Sequence, residues 1–112
     1  MNIKNLIKDA NDILGLPLDW NNFANDEHYR QLFRCACLVL NTITGRYDFT
    51  DNDKIGTDID VGEVSASTLI YGILTEYSFI AGMLNEWKVW RAKYEDGLFK
   101  AASGTKIIPR GF

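Results

Sequence analysis

Residues 48–63 hold six acids, Asp48, Asp51, Asp53, Asp58, Asp60 and Glu63, and so dense a carboxylate cluster invites a calcium reading. An EF-hand loop needs oxygen ligands at fixed positions around an obligatory glycine. Taking Gly56 as that glycine sets Asp51 and Asp53 at the first and third ligand positions. It also sets Ile55 where a ligand is required, and Gly62 where a bidentate glutamate must close the site. Two essential ligands are missing. The acids therefore read as a solvated loop, or as one that faces a basic neighbour.

Other reactive groups are isolated. His28 is the only histidine and sits beside Asp26 and Glu27 in the first turn of a helical pattern, which suits an exposed side chain better than a general base. Glu76 is the sole charge in a long apolar run. A buried lone carboxylate would be costly and would signal catalysis. The simpler alternative is that Glu76 points outward or meets Arg30, Arg34 or Lys88. Cys35 and Cys37 are two apart in a helical pattern, hence on nearly opposite faces, wrong for a disulfide or a shared metal. They read as small core residues of a reducing compartment. There is no nucleophile elbow, phosphate loop, C-x-x-C or H-E-x-x-H. No catalytic residue, cofactor or metal is expected. A carboxylate enzyme would rest on Glu76 and the loop acids alone.

The end of the chain points to partners instead. Lys106, Ile107, Ile108, Pro109, Arg110, Gly111 and Phe112 follow an amphipathic helical pattern that Gly104 and Pro109 interrupt. This is an extended arm with two isoleucines, a basic pair and a terminal aromatic, the makings of a docking peptide. Its apolar residues can equally fold back on the chain's own core. Trp87, Trp90 and Tyr94 place three large aromatics within eight residues at helical spacing. Such residues usually fill a core, but this many suggests that some face a subunit interface, where Trp and Tyr are enriched.

These features need a scaffold, and 112 residues make one domain with an ordinary core. The net charge of −3 argues against a nucleic-acid binder, which needs a basic face. Residues 1–87 hold six cations and thirteen acids, a net of −7; residues 88–112 hold six cations and two acids, a net of +4. An acidic body with a basic end favours head-to-tail association or an acidic partner. Nothing resembles a signal peptide, and the least polar run, Thr68 to Asn85, is short for a membrane span and contains Glu76.

The periodicity predicts an all-α fold, a four-helix bundle. A first helix spans Ile3 to Leu14 with an apolar stripe through Ile13, stopped by Gly15 and Pro17. A second is capped by Asn25 or Asp26 and ended by Gly45; Cys35 to Leu40 is apolar all round, which suggests that this helix is central. Residues 45–64 form a long irregular loop or a small β-hairpin. A third helix starts at Ser65 or Ser67, and its stripe includes Ile80 and Ala81. After Gly82 a fourth runs from Leu84 to about Ala102, with Trp87, Trp90, Tyr94, Leu98 and Ala101 on one face. The helical domain is thus 1–103 and the arm 104–112.

Several of these residues resemble a known family. Tyr71-Gly72, Glu76-Tyr77, Gly82, Glu86, Trp90 and Tyr94 are similar to the last two helices of small head–tail connector proteins of tailed bacteriophages. Leu32-Phe33-Arg34-Cys35-Ala36-Cys37-Leu38-Val39-Leu40-Asn41 looks like that family's second helix, and Ile13-Leu14-Gly15-Leu16-Pro17 is similar to its opening. The 45–64 loop has no counterpart, and the matching motifs are ones of helix contact. The resemblance implies a ring, commonly twelve-fold, that binds the portal protein in the virion and extends the DNA channel, with a further neck or tail protein below. It also implies a C-terminal arm, Lys106 to Phe112, that reaches the portal. The acids of the loop would line the channel or meet the next neck protein, and DNA would pass without specific binding. No membrane is involved, and the protein would be made in the host cytoplasm. The alternatives are another neck or tail-completion protein, or a small helical protein-binding module of a bacterial host.

Overall fold

The computed structural model describes residues 2–18, 26–45 and 61–104. Its elements are four α-helices: α1 (Ile3–Leu14), α2 (Glu27–Thr44), α3 (Ala66–Ile80) and α4 (Leu84–Gly104). Among the described residues there is no strand, and the fold class is all-α. The small β-hairpin considered for the 45–64 loop falls mostly outside the described residues.

The starts of α1, α2 and α3 each have a chemical cause. The Asn2 side chain accepts a hydrogen bond from the Asn5 amide at 2.9 Å. Asp26 accepts from the amides of His28 (2.8 Å) and Tyr29 (3.3 Å), which settles the choice between Asn25 and Asp26. Ser65, rather than Ser67, caps α3 by accepting from the Thr68 amide at 3.2 Å. The first two helices stop at Gly15 and Gly45, both in the left-handed conformation that glycine adopts at no steric cost. α4 runs through Gly104, two residues beyond the expected Ala102, so the first residue assigned to the arm is still helical.

The expectation that α2 is central is corrected. α1, α2 and α4 all pack on α3, which is buried on most of its sides from Thr68 to Ser78. α2 presents Leu38 to solvent, whereas α3 carries a single charge and can be covered from three directions. Ile3, Ile7, Leu32, Leu40, Leu69, Ile73 and Leu74 form the centre of the core. Each contributes about 1.5–3 kcal/mol by leaving water. Ile13, Ile80 and Ala81, placed in apolar stripes by the pattern, are exposed because they lie at helix ends beyond the reach of the next helix.

α3 and α4 form an antiparallel pair around the turn at Gly82, which has φ +74°. Two glycines bring them close. A Cβ at Gly72 would come 2.8 Å from the Tyr94 ring and 3.0 Å from Val39 Cγ1, and one at Gly97 would overlap Thr68.

Candidate interaction surface

The aromatics of α4 divide into two environments. Trp90 stacks on Tyr71 of α3 at 5.9 Å between centroids and 17° between planes, and Lys93 lies 5.7 Å over the same tyrosine ring. Tyr94 closes over Gly72, and both Trp90 and Tyr94 pack against the core cluster. Trp87 does not join that cluster. It meets Phe79 at 6.2 Å, and the Arg91 guanidinium sits 5.0 Å above its ring while also pairing with Glu95 at 3.4 Å. Phe79 is 62% exposed, so this pair stands at the surface. Of the three aromatics named as interface candidates, all half-buried, Trp90 and Tyr94 pack against the core and hold α4 on α3, whereas Trp87 does not join the core cluster.

Sequence reasoning missed a second set. Leu84, Val89 and Phe99 are exposed along α4, Phe99 at 71%. They share no single stripe with Trp87, Trp90 and Tyr94, which is why helical periodicity does not pick them out. α4 thus carries apolar residues on several sides while packing chiefly on α3, and part of its apolar surface stays exposed.

Glu76 is half-buried, not fully exposed, and among the described residues no cation pairs with it. Burial pushes the Cys35 thiol up to about 12; the nearby Glu76 charge adds to the rise and Arg34 opposes it. Burial likewise raises the Tyr94 phenol, with Glu76 again contributing. Cys37 is raised to about 11 by burial alone. Both cysteines are free, buried and protonated at neutral pH, so neither provides a thiolate nucleophile. His28 is half-buried rather than exposed, and its buried Nδ1 has no hydrogen-bond partner among the described residues. Among the described residues no group of three or more His, Cys, Asp or Glu side chains is placed to hold a metal ion. No described helix is long and apolar enough to cross a membrane.

The other residues assigned to function lie outside the described residues. These are Asp48, Asp51, Asp53, Asp58 and Asp60 of the loop, and Lys106, Ile107, Ile108, Pro109, Arg110 and Phe112 of the arm. Comparison with known protein families, with curated proteins and with solved structures finds no match to this chain.

Proposed function

We propose that this chain is a head–tail connector of a tailed bacteriophage, a structural virion protein whose copies form a ring between the portal and the tail. The observation that carries this reading is where the family-like residues fall. Tyr71 stacks on Trp90, Gly72 lies under Tyr94, the Glu76 charge acts on Tyr94, and Gly82 turns the chain between them. Family-like residues of α3 and α4 thus touch one another across one helix pair, as expected if the likeness reflects a common way of seating α4 on α3. The outward apolar residues of α4 give the ring's neighbour a surface to cover.

In this reading the arm from Lys106 to Phe112 docks on the portal. The acids between Asp48 and Asp60 face the channel or the next neck protein. An acidic wall repels the duplex and lets it pass without sticking. The test is capture from lysate of the producing cells with N-terminally tagged protein, both full-length and lacking residues 105–112. Retention of a portal-like ring protein by the full-length form alone supports the proposal. Retention of one host protein, or of the same partners by both forms, replaces it with a host binding module.

A further inference from the structure

α2 and α4 both pack on α3, and each turns one line of residues away from it. On α2 the exposed positions are Glu27, Arg30, Arg34, Leu38 and Thr42, a single row at helical spacing on a helix otherwise largely buried. Leu38 stands in this row at 48% exposure. On α4 the outward row runs through Glu86, Val89, Ala92, Asp96 and Phe99. At its start lies a hollow of about 210 Å³ lined by Asn85, Glu86, Val89 and Trp90, all from α4.

The charges select one pairing between the rows. Arg91 takes Glu95 at 3.4 Å and Lys100 takes Asp96 at 2.9 Å, which leaves Glu86 as the acid of α4 without an ion pair among the described residues. Arg34 on α2 is likewise without one. The spacings agree as well. Arg34 to Leu38 and Glu86 to Val89 span roughly 6 and 4.5 Å at 1.5 Å per residue. The end of α2 meets the end of α4 at the turn before α3, so the two helices run in the same direction. Arg34 laid on Glu86 therefore brings Leu38 to the hollow at Val89, in the same order along both helices.

Height along the body fits too. Val39 and Tyr94 both reach Gly72, so Arg34 stands near the level of Val89, less than one turn from Glu86. A second copy rotated about an axis along the helices meets this register with a shift of only about 4.5 Å.

We infer that a second copy of this chain covers the hollow, its Arg34 on Glu86 and its Leu38 against Val89 and Trp90. The contact is heterologous: each copy offers the α2 row on one side and the α4 row on the other, and a closing rotation makes a ring. The inference rests on the ring reading and names its copy-to-copy contact, yet the two fail separately. Loss of portal capture sinks the connector role and leaves this contact untouched.

The experiment is sedimentation velocity on the full-length protein: wild type, Arg34→Glu, Glu86→Arg and an equimolar mixture of these two variants. Arg34 and Glu86 are exposed, and circular dichroism checks that each variant folds. The wild type is expected to associate, less so at high salt, and each variant alone to associate about tenfold more weakly or worse. The mixture is expected to recover wild-type association, because every contact between unlike variants again joins one acid to one base. A pairing inside one copy, or with another segment of the same chain, cannot be regained by mixing. Absence of recovery therefore overturns the inference, as do variants that associate like the wild type. Leu38→Ser keeps every charge and must weaken association as well; unchanged association in it also overturns the inference. So does a wild type that stays monomeric at about 1 mM, where even a millimolar Kd populates the contact.

Discussion

Gly97 of α4 lies directly on Thr68 of α3, with no room for a methyl group between them: an added Cβ would overlap the Thr68 hydroxyl and come 2.8 Å from its Cγ2. Thr68 cannot easily turn away. Its hydroxyl lies 2.9 Å from Ser65 Oγ, and its amide donates to that same oxygen at the start of α3.

Gly97→Ala is therefore expected to destabilise the protein although alanine is the better helix former. The propensity gain is about 1 kcal/mol, and overpacking a close helix contact costs about 1–3 kcal/mol. A net loss of about 1 kcal/mol should appear as a lower urea midpoint with an unchanged slope. A higher midpoint would mean that α4 shifts freely on α3.

Trp90 and Trp87 should separate stability from assembly. Trp90→Ala removes the stack on Tyr71 and is expected to cost about 3 kcal/mol, near the low end for core tryptophans because Trp90 is half-buried. Trp87→Ala, at the surface beside Phe79, is expected to cost about 1 kcal/mol in the monomer while weakening self-association measured by sedimentation. Equal stability losses with unchanged association would remove Trp87 from the interface.

The buried thiols and Tyr29 set the alkaline limit. Their folded-state pKa values are raised, from 9 to about 12 for Cys35, from 9 to about 11 for Cys37, and from 10 to about 12 for Tyr29. The folded state therefore holds these protons more tightly than the unfolded state. Stability is fully present below pH 9 and falls as pH rises from 9 towards 12. Denaturation midpoints across that range should decline, and Cys35→Ala should make the decline shallower. At pH 8 a thiol reagent should react only as the chain unfolds.

Glu76→Gln removes the charge that adds to the rise of both Cys35 and Tyr94. The Tyr94 phenolate absorbance, isolated by difference from a Tyr94→Phe variant, should then appear at lower pH. An unchanged titration would place the cause in burial alone.

Legibility followed local chemistry. α1 was readable to its last residue because its stripe, Gly15 and Pro17 all mark the same boundary. The starts of α2 and α3 were narrowed to two residues each, and only the cap hydrogen bonds of Asp26 and Ser65 decided between them. The centre of the core was misassigned, since the all-round apolar stretch of α2 ignores where neighbours sit, and Leu38 faces solvent. On α4 periodicity found Trp90 and Tyr94 but passed over Val89 and Phe99, because an outward apolar residue has meaning only once the inward face is known. The arm and the acids from Asp48 to Asp60 lie outside the described residues, so the sequence remains the sole ground for their roles.

Where Gly72 lacks a side chain, Tyr94 from α4 and Val39 from α2 converge on a single backbone position of α3. The central helix is thereby perforated: it transmits contact between its two flanks instead of insulating them. A displacement of α4 at Tyr94 therefore bears on the same α3 position that Val39 of α2 reaches. Mechanical loosening of α4 is thus expected to appear at Val39 before the remainder of the core gives way.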